Sequence, residues 1–429
     1  MRKLILFEVI TSVILFSSCS LSKKISRPAA EYLLDNPAFV SAHTGISIYE
    51  PATGKYWYNY QSEKYFTPAS NTKLATCYAA MKYLGDSLIG LKYKQINDST
   101  VVVKGMADPS FLHSDFKNNP VFDFLKKYHH IQIINPEFHD YLGRGWSWGD
   151  YLEDYMAQRS AFPVHGNTVQ VDWKIDQTLS FIPSYFQKHS VIKGSLTNGY
   201  EASRPWDFND FTFINGGAKH SQIPFTPNEG TLTALLEDTL HADVRFIPEF
   251  SEILNGTIHS QPTDTLLRTM MHRSDNFFAE QSLLMVSQQL TGTMNDRKVI
   301  DTLLATDYSG MPQKPHWVDG SGLSRYDLFS PKDFIFILNR MKNDFGMERI
   351  KNILPTGGTG TISSYYRADS GYIFVKTGTL NGVVALSGFL YTKKNKLLLF
   401  SILVNNHTST ATSIRQGVEK FIQTVRNGF

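Results

Sequence analysis

The middle of the chain, from about Leu91 to Thr263, differs in its residue pattern from the segments on either side of it. It consists of short apolar runs such as STVVVKG, which are broken by Pro, Gly, Asn and Asp, and no long amphipathic helix is evident. This pattern is typical of short strands joined by turns. A chain of 429 residues is also too long for one compact core. The sequence therefore predicts a separate, β-rich unit here and two or three domains in total.

The flanking segments combine strands with amphipathic helices. GISIYE and KYWYNY alternate apolar and polar residues around PATG, which predicts a β-hairpin. A helix opened by Ser70 follows, with an apolar face that ends near Gly85. After the β-rich unit come two apolar helices interrupted at RSDN, three strands (GYIFVKTG, GVVALSGFLYT and KLLLFSILVNN) and a closing helix over Ser409–Val425. This order predicts an α+β fold in which helices cover an antiparallel sheet.

The N-terminus predicts export. A basic start, an apolar stretch shorter than the ~20 residues of a membrane span and small residues follow the pattern of a secretory signal over residues 1–19. Cys19 follows Phe16-Ser17-Ser18 and resembles the lipobox of a bacterial lipoprotein, so we expect a lipid at Cys19, with plain cleaved secretion as the alternative. Residues 20–38 are interpreted as a polar tether. Lipidation would leave Cys77 as the sole thiol, a buried small hydrophobe without a disulfide partner.

The formal net charge of +3 comes without a long basic run, so nothing indicates a nucleic-acid partner. Several histidines lie near carboxylates in the β-rich unit, but their spacing fits no usual zinc pattern, and we expect no metal. They are His113, His129, His130 and His139, with Asp115 and Asp140.

The segment TPASNTKLAT places Ser70 and Lys73 three residues apart, on one face of a helix start. The spacing alone decides nothing, because Ser-x-x-Lys also begins at Ser20, Ser114 and Ser190. A serine hydroxyl needs a neighbouring base to become a nucleophile. A lysine can be that base if burial and a second cation keep it neutral often enough.

Two later segments could complete such a site. Lys376, in VKTGTLNG, supplies a second cation, and Gly378 would leave room for a peptide to bind as an added strand. Ser274 and Asn276, in SDN, offer a hydroxyl and an amide at a helix break. Taken singly, the serines fit helix caps and Lys376 fits a solvated strand lysine. Taken together and in this order, the three motifs indicate serine acyl transfer.

With these motifs, the chain resembles the class C low-molecular-mass penicillin-binding proteins of the D-alanyl-D-alanine carboxypeptidase/endopeptidase type. DGSGLSRYDLFSP, GTGTISSYYR, GMADPSF and GWSWGDYLEDY also match segments typical of that family. The resemblance implies a transpeptidase-like domain formed by residues 39–92 and 263–429, with an inserted domain over residues 93–262.

The resemblance also implies roles for individual residues. Ser70 would be the acylated nucleophile and Lys73 its base, while Ser274 and Asn276 would relay protons and hold the substrate amide. The terminal carboxylate would bind Lys376 and Thr377 beside Gly378, and the backbone amides of Ser70 and Thr379 would form the oxyanion hole. Asp150 and Tyr155 would contact the free amine end of the stem peptide, and Arg325 matches another position on the substrate side. Asp150 and Arg325 also fit a structural surface pair.

The expected function is that of an exported, periplasmic or envelope-bound serine peptidase without an organic cofactor. It would act on peptidoglycan stem peptides and be inhibited by β-lactams. Two alternatives stay open. A non-catalytic protein that binds cell wall or senses β-lactams could carry the same motifs, and so could a serine β-lactamase. A class A β-lactamase needs Glu-x-x-Asn after Ser-Asp-Asn, whereas the Glu252–Asn255 motif precedes Ser274.

Overall fold

The computed structural model describes residues 23–135, 138–173, 179–195, 201–215 and 219–429. The predicted signal segment and Cys19 lie outside the described residues. Within the described ranges, no helix combines the length and the apolar character needed to cross a bilayer.

The strands and helices are numbered in chain order. The strands are β1 (His43–Glu50), β2 (Lys55–Tyr60), β3 (Ser87–Gln95), β4 (Thr100–Gly105), β5 (His130–Ile134), β6 (Thr168–Trp173), β7 (Leu179–Ile182), β8 (Ser190–Ser195), β9 (Glu201–Ser203), β10 (Phe211–Asn215), β11 (Lys219–Pro224), β12 (Asp243–Ile247), β13 (Gly256–Pro262), β14 (Ile373–Leu380), β15 (Val383–Tyr391) and β16 (Leu397–Asn405). The α-helices are α1 (Lys73–Tyr83), α2 (Pro120–Leu125), α3 (Glu229–Leu240), α4 (Thr263–Arg273), α5 (Asn276–Thr291), α6 (Asp296–Ala305), α7 (Pro331–Ile353) and α8 (Ala411–Gly428).

One five-stranded antiparallel sheet, in the order β14-β15-β16-β1-β2, joins the two ends of the chain. The side chains of β15 alternate between its faces, as the pleat requires. Ala385 and Phe389 pack with α1, α4, α5 and α7, whereas Leu386 and Leu390 pack with α8. The predicted α+β fold, an antiparallel sheet covered by helices, is confirmed.

The prediction of a polar tether over residues 20–38 is wrong for residues 23–34. Residues 23–29 are helical and continue into a π-helical turn at Ala30–Leu34. Ile25, Ala29 and Leu33 are fully buried in the core beneath α8. These three apolar residues recur every four positions, which is the spacing of one helix face. The many polar residues between them concealed this pattern.

The inserted region contains the remaining sheets. One has five strands in the order β12-β5-β4-β3-β13, and two have three strands each, in the orders β8-β10-β9 and β11-β6-β7. The first and last strands of this region, β3 and β13, pair with each other, so the chain enters and leaves it side by side. The boundary expected between residues 92 and 93 falls inside β3. Leu88 packs in the core formed with α1, α4, α5 and α7, whereas Leu91 packs in the core of the insertion.

The inserted region contains a helix of 12 residues, α3, that was not evident in the sequence pattern. Its apolar side consists of Leu232, Leu235, Leu236 and Leu240, which are buried. Asn228 caps its start by accepting a hydrogen bond from the amide of Thr231. The threonines and acidic residues between the leucines weaken the helical signal in the sequence.

Candidate active site

Ser70 lies in a tight turn that leads into α1. Residues Ala69–Thr72 form a 3-10 turn directly before Lys73, and Ala69 has a left-handed backbone with φ of 47°. The Thr72 hydroxyl donates to the Ala69 carbonyl at 3.0 Å and closes the turn. A non-glycine residue in this conformation carries backbone strain that its surroundings must offset.

Lys73 is fully buried, and its ammonium lies between three acceptors. Nζ lies 2.9 Å from Ser70 Oγ, 2.6 Å from Asn276 Oδ1 and 2.8 Å from the Ser321 carbonyl. Burial lowers the pKa of Lys73 to about 8, and four carboxylates limit this fall, those of Asp319, Asp275, Glu280 and Asp327. A lysine with this pKa is partly a free amine near neutral pH, so it can accept the proton of Ser70.

Ser274 and Asn276 lie at the break between α4 and α5. Ser274 ends α4 in a left-handed conformation with φ of 62°. The side chain that caps α5 is that of Asp275, which accepts from the amide of Phe278 at 2.8 Å. The Ser274 hydroxyl instead accepts a hydrogen bond from Lys376 Nζ at 2.8 Å. The Ser274 side chain therefore does not cap α5, although its backbone ends α4.

Lys376 is fully buried in β14, so it is not a solvated strand lysine. Nζ donates to Ser274 Oγ and, at 2.6 Å, to the Thr377 carbonyl. Burial and repulsion from Lys73 hold the pKa of Lys376 well below its ordinary value. Burial is the main cause of the lowered pKa of both lysines, and their two ammonium groups repel each other.

Gly378 has a different role from the one expected. A Cβ atom at this position would lie 2.6 Å from the Pro68 carbonyl oxygen and 3.1 Å from the Ser70 amide nitrogen. The missing side chain therefore lets the Ser70 turn pack directly against β14, rather than making room for a substrate strand. β14 is an edge strand of its sheet, so a neighbouring backbone can still approach its free side.

An open cleft of about 650 Å³ brings residues from both parts of the chain together. Of the predicted site residues, its walls include Ser70, Asp150, Tyr155, Ser274, Asn276, Arg325 and Thr379. Lys73, Lys376, Thr377 and Gly378 do not line it. Thr377 Oγ1 donates to Thr361 Oγ1 at 2.8 Å, and the Arg415 guanidinium donates to Thr379 Oγ1 at 2.7 Å.

Asp150 and Arg325 both face the cleft but have different partners. Asp150 lies beside Tyr155, and burial together with this carboxylate raises the pKa of Tyr155 to about 12. Arg325 donates to the Asn381 carbonyl at 3.4 Å. Among the described residues these two side chains form no ion pair with each other. The interpretation as a structural surface pair is therefore not supported, and both charges stay available to a ligand.

Sequence reasoning missed the buried polar residues that support this site. Asp319 accepts hydrogen bonds from the amides of Gly322 and Ser324, at 2.7 and 2.6 Å, and from Trp146 Nε1 at 2.9 Å. Glu280 accepts from the amide of Ser321 at 2.8 Å. A Cβ atom on Gly322 would lie 1.9 Å from the Ala69 carbonyl oxygen, so this turn fits closely against the Ser70 turn. A glutamate within the apolar run FFAEQSLL was the available signal.

Within the described ranges, no three His, Cys, Asp or Glu side chains converge as a metal site would require. The chemistry of the cleft is that of the Ser70 hydroxyl beside the buried Lys73, next to the edge strand β14. This combination defines a serine enzyme of acyl transfer.

Comparison with known proteins specifies that class. The sequence pattern of the D-Ala-D-Ala carboxypeptidase 3 (S13) family matches residues 26–182 and 251–425. The chain therefore belongs to this family of serine peptidases, and the resemblance inferred from the motifs is confirmed.

Individual relatives align over most of the chain. It is 24% identical over 461 residues to the penicillin-sensitive carboxypeptidase A of Dictyostelium discoideum, covering 87% of this chain and 85% of the relative. It is also 24% identical over 459 residues to a D-alanyl-D-alanine carboxypeptidase of Actinomadura, covering 90% and 82%. The crystal structure of penicillin binding protein 4 (dacB) from Haemophilus influenzae shares the fold, with a TM-score of 0.74, 18% identity and coverage of 96% and 98%.

Proposed function

We propose that the protein hydrolyses D-alanyl-D-alanine bonds of peptidoglycan stem peptides through an acyl-enzyme on Ser70. The observation that supports this most directly is the 2.9 Å contact between Ser70 Oγ and a lysine whose pKa burial has lowered to about 8. Ser70 attacks the carbonyl of the penultimate D-Ala, and Lys73 takes the hydroxyl proton. D-alanine, or the amine of a cross-linked peptide, then leaves, and water releases the acyl group.

The other residues take the roles that their positions favour. Lys376, buried beside Ser274, gains a negative partner when the substrate carboxylate arrives, and this favours its ammonium form. Asn276 holds the Lys73 amine through Oδ1 and is itself held by the carbonyl of Tyr155 at 3.1 Å. The backbone amides of Ser70 and Thr379 stabilise the oxyanion.

The charged walls of the cleft recognise the far end of the stem peptide. Asp150 offers a carboxylate to a free amine, and Tyr155 lines the cleft beside that carboxylate. Arg325, in the segment between α6 and α7, offers a cation to a substrate carboxylate. The balance between carboxypeptidase and endopeptidase activity then depends on how far a second peptide strand can extend along this cleft.

β-Lactams acylate the same serine, because their strained amide mimics the D-alanyl-D-alanine bond. The Dictyostelium relative is named for its penicillin sensitivity. Rapid hydrolysis of the adduct needs a glutamate that activates a water molecule at the site. Glu252, of the Glu-x-x-Asn motif, is instead exposed beside Lys94 in the insertion. We expect a long-lived penicilloyl-Ser70, and turnover of a penicillin at many per second would contradict it.

Export follows from the peptidoglycan substrate, and we propose a lipid anchor at Cys19. Mass analysis of the N-terminal peptide and detergent partitioning test this. The Cys19→Ala protein should lose both the lipid mass and the detergent-phase fraction. An unmodified Cys19, or a signal cleaved at another position, would contradict the lipid anchor. The proposal for catalysis would be unaffected.

The main experiment is digestion of purified sacculi, followed by mass analysis of the muropeptides. The wild-type protein should release D-alanine, remove cross-linked dimers or do both, and Ser70→Ala should do neither. Ser190→Ala is the matched control, since Ser190 also begins a Ser-x-x-Lys motif but its hydroxyl donates to the Phe186 carbonyl in the insertion. If the wild-type protein binds sacculi and yields neither product, the non-catalytic binding protein is the better interpretation.

A further inference from the structure

A buried group of charged side chains adjoins Lys73. Glu280, on α5, and Arg159, from the inserted region, are both 1% exposed. Glu280 Oε2 lies 3.3 Å from Arg159 Nη1, which also lies 2.6 Å from Asp296 Oδ2. A buried carboxylate is strongly unfavourable unless its oxygens are paired. Glu280 therefore depends on a cation that the insertion supplies.

The second oxygen of Glu280 connects this ion pair to the catalytic lysine. Oε1 accepts a hydrogen bond from the Ser321 amide at 2.8 Å, and the carbonyl of the same residue accepts from Lys73 Nζ at 2.8 Å. Ser321 is thus held on one side by Glu280 and holds Lys73 on the other.

The turn that contains Ser321 has little freedom to move. A Cβ atom on Gly320 would lie 2.8 Å from the Ala279 carbonyl oxygen of α5, and one on Gly322 would lie 1.9 Å from the Ala69 carbonyl oxygen. The turn is therefore wedged between the helix that carries Glu280 and the turn that carries Ser70. A small displacement of Ser321 would be transmitted to Lys73 Nζ and Ser70 Oγ.

We propose that Glu280 is a positioning residue for acyl transfer, which holds the Ser321 carbonyl against Lys73 and is itself held by Arg159 of the inserted region. The proposal rests on the proposed function, because it assigns the support of the Lys73 base. It also gives the insertion a part in the chemistry beyond shaping the cleft.

The charges around this group determine the expected effect on pH dependence. Glu280 faces Arg159, Asp319 and Asp296, and burial together with Asp319 raises its pKa to about 7. Lys73 faces Lys376 and four carboxylates, of which Glu280 is one and the others are Asp319, Asp275 and Asp327. Above neutral pH the Glu280 carboxylate favours the ammonium form of Lys73. Its replacement by an amide therefore moves the titration of Lys73 to lower pH.

The test is the rate constant for acylation of Ser70 by a fluorescent penicillin, measured from pH 6 to 9.5 on the full-length protein. Glu280→Gln keeps the side-chain volume but removes the charge. Its plateau rate should fall by about tenfold or more, because a displacement near 1 Å at a catalytic group has effects of that size. The midpoint of its pH profile should lie below that of the wild-type protein. Asp333→Asn is the control, since Asp333 is also buried but accepts from the amides of Ser330 and Gln313.

Arg159→Gln gives an independent test that does not depend on the folding of Glu280→Gln. It leaves Glu280 without its cation, which favours the protonated carboxyl. The plateau rate and the midpoint of the pH profile should therefore both fall, as they do in Glu280→Gln. Thermal unfolding by circular dichroism identifies folded variants. A wild-type profile in either folded variant would overturn the proposal, as would an equal change in Asp333→Asn. Absence of labelling in the wild-type protein would instead contradict the proposed function.

Discussion

Acylation of Ser70 should follow the deprotonation of Lys73, and the structure gives the size of the effect. With a pKa of about 8, about 10% of Lys73 is free amine at pH 7. With the ordinary lysine pKa of 10.5 the free amine would be about 0.03%. Burial of Lys73 therefore increases the reactive fraction at pH 7 by about 300-fold.

The sign of the pH dependence follows from the same values. Below pH 8 Lys73 is mainly an ammonium that donates to Ser70 and cannot take its proton. The rate constant for acylation should thus rise by nearly tenfold per pH unit below about pH 7.5 and level off above pH 8.5. A fluorescent penicillin reports the rate on a gel, and Ser70→Ala gives the background. A rate that is constant from pH 6 to 9, or that still rises tenfold per unit at pH 9.5, would refute this reasoning.

Three further predictions concern packing and recognition. Gly378→Ala should slow acylation by at least about tenfold, because its Cβ overlaps the Ser70 turn, whereas Gly230→Ala in α3 should not; equal rates for both variants would contradict the packing argument. Leu33→Ala should lower the free energy of unfolding in urea by about 2–5 kcal/mol, and Val40→Ala, at an 86% exposed residue, by less than about 0.5 kcal/mol. Asp150→Asn should raise KM for a stem peptide with a free amine while leaving acylation by penicillin unchanged, and a parallel loss of both would place Asp150 in the chemistry instead.

Local patterns predict the residues that react. Ser70, Ser274 and Lys376 each lie in a short motif at a helix start, a helix break or a strand, and each of these local structures has its own signature in the sequence. The structure shows that these residues lie close together. Lys73 Nζ is 2.9 Å from Ser70 Oγ, and Lys376 Nζ is 2.8 Å from Ser274 Oγ.

The supporting residues could not be predicted in the same way. Glu280 and Arg159 are far apart in sequence, and each looks unfavourable in an apolar segment until its partner is known. The lowered pKa values of Lys73 and Lys376 depend on burial, which is a property of the assembled core. The helix at residues 23–34 was missed because only three positions on its buried side are strongly apolar or small, those of Ile25, Ala29 and Leu33.

The pairing of β1 with β16 has a consequence for biogenesis. His43 is paired with Asn405, so the central sheet joins one of the first strands to be synthesised to the last one. The insertion can fold earlier, because its two ends meet where Ser87 is paired with Pro262. Lys376 reaches Ser274 only when β14 joins the sheet. A growing chain that still lacks β14 therefore carries Ser70 without its complete machinery, and it can become active only after β14, β15 and β16 have been made and paired.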